Sequence, residues 1–485
     1  MSKLYIIGLG PGDIDALTLG AINRIKSGDK NFVRTVNHPT MEYFSRNNIK
    51  FSSFDYLYEE KEDFADVYES IADTLIQELE TFGTINYYVP GNPMVAEKSV
   101  NLLIEKLPKD KYEIVTGLSF VEPILETVGL DLIEGLKIVD GIGLKYTDID
   151  INSNMIITQT YSKMVVSELK LIISEIYGDD YKVYLIHGAG LKDELVEYIP
   201  ISKLDWSESI NVLTSVFIPK VDKEKYKIFD YDDVVNLTKT LRGENGCPWD
   251  REQDHRSIRQ SLIEEAYELV EAIDEDDPDH IAEEVGDLLF QCVFHTEIAY
   301  ENGYFNPIKV TSTLVNKLIT RHPHVFFEKS VDNSKEVLYN WNKIKYENRN
   351  ITSLAEKLKN IPKLPALMRS FKVQEKAAEV GFDWDNLEGP SQKVLEEYHE
   401  ILEAVNLYDS DDTRIEEEVG DLIFAVVNLS RFLNVNPEVA LSKTIGKFTK
   451  RLEKMELKAQ LMGIILEGMT LEELDNLWDA VKEEE

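Results

Sequence analysis

The stretch LIEEAYELVEAIDEDDPDHIAEEVGDLLF, residues Leu262–Phe290, sets many carboxylates beside apolar residues that recur at helical spacing. For one such stretch alone, an acidic face turned to solvent would be a sufficient explanation. However, its motif EEAYE (264–268) returns 132 residues later as EEYHE (396–400). The carboxylates therefore belong to a pattern that the chain uses twice.

Five elements of this region recur in the same order, at offsets of 130 to 137 residues. The pairs are EEAYE 264–268 and EEYHE 396–400, Glu284-x-x-Asp287 and Glu418-x-x-Asp421, Lys317 with Arg321 and Lys447 with Arg451, Trp341 with Lys345 and Trp478 with Lys482, and Trp249-Asp250 and Trp384-Asp385. Such register indicates an internal duplication. A merely solvated face has no reason to repeat its lysines, arginines and tryptophans, so the pattern favours a functional role for the carboxylates.

The carboxylates of the second repeat are spaced to meet. Residues three or four apart share a helical face, so Glu397 and Glu400 project from one helix, and Glu418 and Asp421 project from the next. The connection YDSDDT (408–413) is short, which predicts antiparallel helices and converging side chains. Four like charges repel unless a cation lies among them. Oxygen ligands without His or Cys suit Mg²⁺ or Mn²⁺, with a phosphate substrate completing the coordination.

Cations follow the carboxylates in each repeat. In the second repeat, Lys447, Arg451 and Lys482 are suited to neutralise phosphate oxygens. Trp478 either stacks on a base or packs in the core, and the sequence leaves both open. The first repeat predicts a secondary site from the same residue types, with metal ligands Glu265, Glu268, Glu284 and Asp287 and nucleotide contacts Lys317, Arg321, Trp341 and Lys345.

Composition excludes several classes of function. The 485 residues include 52 Lys plus Arg and 89 Asp plus Glu, a net charge of −37 that repels nucleic acids and anionic membranes. Two cysteines without metal-ligand spacing argue against a disulfide framework or a structural zinc. The start MSKLYIIGLGPGD lacks a basic segment, so no signal peptide is expected, and no apolar run approaches the roughly 20 residues that span a bilayer. These features predict a cytoplasmic protein.

The chain divides into an α/β part and an all-α part. Up to about residue 222, helical stretches alternate with the strand-like runs KLYIIGLG, INYYVPG, YEIVTG, NMIITQT, KVYLIHG and INVLTSVFIP, which predicts a largely parallel sheet. From about Phe229 onward, only long amphipathic helical patterns remain. A linker is predicted in PKVDKEKYKIFD (219–230), and a second boundary in NITSLAEKLKNIPKLP (350–365). The predicted domains are residues 1–222, 223–349 and 366–485, with 350–365 as linker.

From about 230 to 485 the chain resembles the tandem MazG nucleoside triphosphate pyrophosphohydrolases, an all-α family. The resemblance rests on the motifs GCPWD, EEAYE, EEVGDLLF, RHPHVF, WNKIK, GFDW, EEYHE, EEVGDLIF and LWDAVK. It implies Mg²⁺-dependent hydrolysis of NTPs and dNTPs to the monophosphate and pyrophosphate. It also implies metal ligands at Glu397, Glu400, Glu418 and Asp421, and nucleotide contacts at Lys393, Arg414, Lys447, Arg451, Trp478 and Lys482. Either Glu396 or Glu397 would accept the proton of the attacking water.

The two repeats are not equal. The positions of Lys393 and Arg414 correspond to Ser261 and His280 in the first repeat, so two firm cations are missing there. The second repeat is therefore the predicted nucleotide site, and turnover in the first repeat stays open. Each repeat has too few helices to bury its own apolar face, which in the second repeat consists of Leu422, Ile423, Val426 and Leu429. We therefore expect a homodimer or a higher homo-oligomer.

The first 220 residues or so resemble the tetrapyrrole (corrin/porphyrin) methylases, which bind S-adenosylmethionine between two α/β lobes. The resemblance rests on GLGPGDIDALTLGA, VPGNP and VTGLSF, and it implies cofactor contacts at Pro11, Asn92, Val95, Ser119 and Phe120. One departure is Gly91-Asn92-Pro93, where that family usually has Gly-Asp-Pro. His187, at the end of a late strand, has either a structural or a catalytic role.

Taken whole, the chain resembles the YabN-type fusions of a methylase domain with MazG. Two other classes of function stay open: a methyltransferase whose helices serve as a dimerisation module, and a regulatory protein that senses nucleotide or S-adenosylmethionine without turnover. Pyrophosphate release would distinguish an enzyme from either of these.

Overall fold

The computed structural model describes residues 2–61, 63–327, 330–407 and 413–484. It divides into two compact units, Met1–Asn302 and Gly303–Glu485, and each is described by itself. The domain boundaries predicted from the sequence stay predictions. None of the helices in the described part is long and apolar enough to cross a membrane.

The first lobe of the first unit is a parallel sheet covered by helices. Its strands are β1 (Lys3–Gly8), β2 (Lys30–Val33), β3 (Ser52–Ser53), β4 (Thr84–Val89) and β5 (Tyr112–Val115), and its helices are α1 (Leu19–Ile25), α2 (Met41–Arg46), α3 (Asp55–Glu60), α4 (Phe64–Phe82) and α5 (Lys98–Lys106). The sheet order is β3-β2-β4-β1-β5, with every pair parallel. Lys3 lies opposite Thr84 and Gly8 opposite Val89, so β1 and β4 end side by side. The loops that follow them therefore meet at one edge.

The second lobe carries a mixed sheet. Its strands are β6 (Leu136–Asp140), β7 (Asn154–Thr158), β8 (Lys182–His187), β9 (Leu195–Pro200) and β10 (Thr214–Ile218), and its helices are α6 (Val121–Val128), α7 (Lys163–Tyr177) and the short α8 (Lys223–Tyr226). The order is β6-β7-β10-β8-β9, and only β6 and β7 run parallel. The prediction of a largely parallel sheet is right for the first lobe and wrong for the second. Its last three strands lack the intervening long helix that parallel neighbours require.

Together, the two lobes contain strands at all six of the runs that the sequence predicted as strands. Four strands were not predicted, namely β2, β3, β6 and β9. The first two are short, and the last two lie at the edges of the second sheet with much of their surface exposed. A long hydrophobic run reveals a strand that is buried on both faces, whereas β2 is buried but has only four residues, and β6 and β9 are partly exposed. Short 3₁₀ helices occupy Ile14–Ala16, Lys109–Lys111, Leu132–Glu134, Tyr146–Asp148 and Ile201–Trp206.

The rest of the described chain is helical, as predicted. The first unit continues with α9 (Tyr231–Arg242), α10 (Pro248–Glu252), α11 (Ser261–Glu275) and α12 (Pro278–Glu301). The second unit contains α13 (Pro307–Arg321), α14 (Pro323–Phe326), α15 (Ser334–Glu347), α16 (Leu354–Lys359), α17 (Ala366–Ala378), α18 (Glu388–Leu407), α19 (Thr413–Phe432), α20 (Pro437–Leu461) and α21 (Leu471–Lys482).

Capping chemistry explains where several of these helices begin. The side chain of Asp277 accepts hydrogen bonds from the backbone N–H groups of Asp279 and His280, and proline occupies the first position of α12. Asn436 and Pro437 begin α20 in the same way. The cap at Asp277 fixes the start of α12, the helix that carries Glu284 and Asp287 of the first repeat.

The predicted connections have structure of their own. Residues 219–230 contain α8, and Val221 within them is buried in the core of the second lobe. Residues 350–365 contain α16, which begins with a capping box at Ser353. Of the short connection 408–413, only Thr413 lies among the described residues.

Candidate functional site

Three carboxylates of the second repeat converge between two helices. Helices α18 and α19 pack against each other. Glu397 of α18 meets Glu418 and Asp421 of α19, with one oxygen atom of each within 4.8 Å of the others. Glu397 and Glu418 are only 5% and 4% exposed, whereas Asp421 is exposed. Carboxylates this close and this buried repel each other, and a divalent cation would remove that repulsion.

Glu400, the fourth predicted ligand, lies at the edge of this group. Burial raises the pKa of its carboxyl group, and the neighbouring charges of Glu397 and Glu418 and a hydrogen bond with Glu418 raise it further. The structure thus brings all four acids that the spacing singled out into one neighbourhood, with three of them in closest contact.

Lys393 and Arg414 contact the carboxylates directly. The Nζ atom of Lys393 lies 2.6 Å from Glu397 and 2.8 Å from Glu396. The Nη2 atom of Arg414 lies 2.9 Å from Glu418. Hydrogen bonds with Glu396 and then Glu397 raise the pKa of Lys393 above its ordinary value. Each buried glutamate is therefore paired with a cation one turn earlier on its own helix.

One oxygen of the group has no protein partner. Oε2 of Glu397 is buried and accepts no hydrogen bond from the part of the chain that the structure describes. A buried carboxylate oxygen normally has a partner, because an unsatisfied one is costly. This oxygen, with the all-oxygen donor set around it, fits a bound Mg²⁺ or Mn²⁺.

The remaining predicted nucleotide contacts lie on α20 and α21. The guanidinium of Arg451 lies 5.4 Å from the ring centre of Trp478, and the ring of Phe448 lies 5.0 Å from it. Trp478 is half-buried against a small core that includes Met455 and Leu477. The two readings of this tryptophan are thus not exclusive, because it packs on the core and keeps part of its surface outside. Lys447 and Lys482 are exposed.

The first repeat has a matching group of acids. Oxygen atoms of Glu265, Glu268 and Glu284 lie within 4.8 Å of one another. Glu284 is 9% exposed, and its Oε2 is buried without a hydrogen-bond partner among the described residues. Burial raises the pKa of Glu265, and the charges of Asp287 and Glu268 add to this effect. Gln291 donates a hydrogen bond of 3.3 Å to Glu265, a contact that the motif comparison missed.

His280, at the position that corresponds to Arg414, contacts two acids of the first repeat. Its ring nitrogens lie 3.3 Å from Glu275 and 3.3 Å from Glu284. Burial lowers the pKa of His280, but the hydrogen bond with Glu275 and the charge of Glu284 outweigh it and raise the pKa overall. His280 therefore stands towards Glu284 as Arg414 stands towards Glu418, with a charge that depends on pH.

The cations of the first repeat belong to the second compact unit. There the guanidinium of Arg321 lies 4.7 Å from the ring centre of Trp341, and Lys345 Nζ lies 5.4 Å from it. Lys317 is exposed on α13. The arrangement of Arg321 with Trp341 repeats that of Arg451 with Trp478.

A cavity of about 370 Å³ in the first unit is lined by residues of both lobes. Pro11, Val95 and Phe120 line it. These are three of the five cofactor contacts that the methylase resemblance implies. Asn92 and Ser119 are not among the lining residues. Asn92 donates a hydrogen bond of 2.8 Å to the carbonyl of Gly117, and Ser119 is bonded to Glu122. These two side chains hold the loops that surround the cavity.

The first-lobe wall of this cavity is polar and was not predicted. Arg34 pairs with Glu97 at 2.6 Å, and both line the cavity with His38 and Tyr58. Burial, followed by the charge of Arg34, lowers the pKa of His38 to about 4, although a hydrogen bond to the Gly10 backbone opposes the shift. The imidazole is therefore neutral near pH 7. His187, by contrast, is half-buried, and its Nδ1 lacks a partner among the described residues.

Four glycines, at residues 8, 10, 91 and 117, let the loops cross above the sheet. Gly10 and Gly91 form an antiparallel bridge between the first and second loops. A Cβ atom on Gly117 would lie 2.6 Å from the carbonyl oxygen of Gly91 and 2.8 Å from Cα of Gly8. No side chain fits at Gly8 or Gly117, whereas Gly10 and Gly91 have positive φ angles of 74° and 65° that favour glycine.

Comparison with known proteins covers both parts of the chain. The MazG nucleotide pyrophosphohydrolase domain matches residues 253–326 and 388–456, and the tetrapyrrole (corrin/porphyrin) methylases match residues 3–205. The chain is 39% identical over 486 residues to the Bacillus subtilis (strain 168) protein YabN, covering 100% of this chain and 99% of that one.

Two further relatives match the helical part. A Thermotoga maritima protein named nucleoside triphosphate pyrophosphohydrolase/pyrophosphatase MazG is 44% identical over 252 residues, covering 52% of this chain and 95% of that one. The Escherichia coli (strain K12) nucleoside triphosphate pyrophosphohydrolase is 41% identical over 256 residues, with 52% and 97% covered. The similarity to these relatives thus spans almost their whole length.

Proposed function

We propose, from the premise that this chain belongs to the family of YabN-type fusions between a tetrapyrrole methylase domain and tandem MazG domains, that its second repeat hydrolyses nucleoside triphosphates. The products would be the nucleoside monophosphate and pyrophosphate, from both NTPs and dNTPs. The observation that supports this most is the group of Glu397, Glu418 and Asp421, in which two buried acids lie within 4.8 Å of a third.

The acids would hold Mg²⁺ or Mn²⁺, with Glu400 beside them. A bound divalent cation supplies charge that neutralises phosphate oxygens and makes water a better nucleophile. Lys393 and Arg414 would turn from their glutamates to the triphosphate, while Arg451, Lys447 and Lys482 approach from the other helices. Glu396 is exposed, and among the described residues it is bonded only to Lys393, at 2.8 Å, so release of that lysine would free it to accept a proton.

The first repeat would hold metal more readily than it would turn over nucleotide. Its acids converge in the same way, but Ser261 stands where the second repeat has Lys393, and His280 replaces Arg414. A triphosphate would meet less fixed positive charge there. We therefore assign hydrolysis to the second repeat and a secondary metal site to Glu265, Glu268, Glu284 and Asp287.

The cavity between the lobes would bind S-adenosylmethionine. Support comes from Pro11, Val95 and Phe120, which line it, and from Gly91 and Gly188, which line it without side chains. The methyl acceptor has no assignment. Calorimetry with S-adenosylmethionine and its demethylated product should detect binding, and an absence of heat with both ligands would remove this part of the proposal.

The helical part would form a homodimer or a higher homo-oligomer. On α19, Ile423 and Val426 are 48% and 44% exposed, while Leu422 and Leu429 beside them are half-buried. An apolar strip of this kind on a helix favours burial against another helix. The cytoplasmic location stays a prediction from the sequence.

The test of hydrolysis is the product profile of the purified full chain with each NTP and dNTP and Mg²⁺. Monophosphate and pyrophosphate should appear, and chelation of the metal should stop their release. In ¹⁸O-labelled water, label in the monophosphate would indicate attack at the α-phosphorus. Tight nucleotide binding without any product would instead support a regulatory sensor.

A further inference from the structure

Part of the cavity in the first unit is lined by elements that carry none of the implied cofactor contacts. Those contacts lie in the loops after β1, β4 and β5, whereas Arg34 and His38 follow β2, and Tyr58 lies on α3, after β3. In the sheet order β3-β2-β4-β1-β5, the chain segments after β3 and β2 lie at one end of the carboxyl edge, and the loop after β5 lies at the other. The polar wall formed by Arg34, His38 and Tyr58 therefore borders the implied cofactor contacts without containing any of them.

Two atoms of the polar wall have no hydrogen-bond partner among the described residues. They are Nε of Arg34 and Nδ1 of His38, and both atoms are buried. The whole of His38 is only 8% exposed. Buried polar atoms normally have partners, because an unsatisfied one is costly. Two such atoms on residues that line one cavity indicate a ligand that supplies the missing partners.

The two atoms offer one donor and one acceptor. Nε of an arginine always carries a hydrogen, so it donates. Burial lowers the pKa of His38, and the hydrogen bond to the Gly10 backbone opposes this shift, so that bond runs from a ring N–H to the carbonyl. Because Nδ1 has no partner, the donor to Gly10 is Nε2, and Nδ1 of the neutral ring keeps a lone pair that can accept. A matching ligand edge has an acceptor next to a donor, as in the –CO–NH– group of a lactam.

The charges around the cavity favour a neutral ligand. Among the described residues that line it, Arg34 and Glu97 are the only charged ones, and they pair with each other at 2.6 Å. Glu97 is 5% exposed, so its charge stays beside any group that approaches Arg34. A carboxylate or phosphate at this place would be repelled by Glu97 and would find no second cation.

Aromatic rings surround the same end of the cavity. The ring centre of Tyr58 lies 6.3 Å from that of Phe64 and 6.5 Å from that of Tyr68, and all three residues line the cavity. Aromatic side chains of this kind stack with flat rings. The surroundings of Arg34 and His38 therefore suit a planar molecule.

Backbone strain is found at the same cavity, once in each lobe. Ala96 and Gln159 line it with positive φ angles of 56° and 60°. Ala96 precedes α5 and Gln159 follows β7, so the end of a helix does not explain either angle. The other non-glycine residues of the described chain with positive φ all lie just after a helix, namely Asn48, Lys227, Asp276, Asn350 and Asn434. Strain without such a local cause clusters at ligand sites.

We propose that the polar wall binds a flat, neutral heteroaromatic molecule through a –CO–NH– edge. The carbonyl oxygen of the ligand would accept a hydrogen bond from Nε of Arg34, its N–H would donate to Nδ1 of His38, and its ring would lie against Tyr58. This site goes beyond the proposed binding of S-adenosylmethionine, because it contains none of the implied cofactor contacts. A ligand held there would lie beside the cofactor in one cavity, and its binding does not require the cofactor.

Ligand-observed NMR with the full chain tests the inference, with 2-quinolone as the probe. This probe carries the –CO–NH– edge on two fused rings, whereas N-methyl-2-quinolone lacks the N–H and quinoline-2-carboxylate carries a negative charge. Wild type should bind 2-quinolone about tenfold more tightly than either analogue, because the methylated compound leaves Nδ1 of His38 without a partner and the carboxylate meets Glu97. Added S-adenosylhomocysteine should not displace 2-quinolone.

Two variants of His38 separate ligand binding from folding. The amide nitrogen of glutamine can replace Nε2 and keep the bond to Gly10, whereas the amide oxygen of asparagine can replace Nδ1 and keep the acceptor. His38→Gln should therefore weaken binding of 2-quinolone about tenfold and leave the melting temperature close to that of wild type. His38→Asn should retain more of the affinity and lose more of the melting temperature. A histidine with only a structural role would lose affinity in the same order as stability.

Four results would overturn the inference. Wild type might bind no 2-quinolone, or bind the N-methyl analogue equally well, or His38→Gln might bind as tightly as wild type. Competitive displacement by S-adenosylhomocysteine would assign the polar wall to the cofactor instead. Binding of S-adenosylhomocysteine is measured in the same samples without 2-quinolone, so a failure of the proposed cofactor site is recognised separately.

Discussion

Replacement of Glu397 by glutamine should nearly abolish nucleotide hydrolysis while leaving the fold intact. The substitution keeps shape and removes one charge from a group whose oxygen atoms lie within 4.8 Å of one another. At an effective dielectric constant of about 20, two unit charges at that distance interact by about 3 kcal/mol. The same electrostatics that makes the acids repel each other makes each of them a strong contributor to holding a divalent cation.

The expected loss follows from this geometry. Removing one fixed charge from a preorganised site commonly costs roughly 10²- to 10³-fold in rate. Glu397→Gln should lie in that range or above it, because Glu397 is 5% exposed and water cannot easily take its place. Glu265→Gln, the matched change in the first repeat, should cost much less, because Ser261 and His280 replace the two cations of the second repeat.

The assay is steady-state pyrophosphate release from both variants under saturating Mg²⁺, with thermal unfolding as the control. Lys393 keeps its contact of 2.8 Å with Glu396, so Glu397→Gln should unfold within a few degrees of wild type. If Glu265→Gln is inactive and Glu397→Gln is close to wild type, the active site has been assigned to the wrong repeat.

Three further outcomes are expected. The fold lowers the pKa of His38 to about 4, so as the pH falls the unfolded chain takes up a proton before the folded chain does. The free energy of unfolding should therefore be highest above about pH 6.5 and lower by about 2 kcal/mol at pH 5. Thermal unfolding measured as a function of pH should show this loss in wild type and not in His38→Asn. Gly117→Ala would place a Cβ atom 2.6 Å from the Gly91 carbonyl oxygen, so it should lower the melting temperature and abolish binding of S-adenosylmethionine in calorimetry. Gly129→Ala, whose Cβ would have no atom within 4 Å, should retain that binding. Sedimentation at micromolar concentration should show at least a dimer, Ile423→Glu should shift it towards monomer, and a wild-type monomer would contradict the proposed assembly.

Much of this molecule could be predicted from its sequence because the relevant patterns are local. Helical spacing was enough to place Glu397 beside Glu418 and Asp421, and the same reasoning in the first repeat placed Glu265 beside Glu284. The family resemblance inferred from the motifs is confirmed by relatives that span the whole chain or its helical part.

The rest depended on contacts between distant parts of the chain. Arg34 and His38 follow a strand of only four residues, too short for its hydrophobic run to be noticed, so the polar wall of the cavity was missed. Asn92 holds a loop through Gly117, a contact that no spacing rule contains.

The ion pairs of Lys393 with Glu397 and of Arg414 with Glu418 have a consequence for the order of events at the proposed site. Each cation is paired with a glutamate that would hold the metal, so a bound metal would free Lys393 and Arg414 to contact the triphosphate. Metal and nucleotide should then bind cooperatively, and by linkage each must raise the affinity for the other by the same factor. A chain depleted of metal would therefore neither hydrolyse nucleotide nor bind it tightly, so it would not hold nucleotide unused when the cation is scarce.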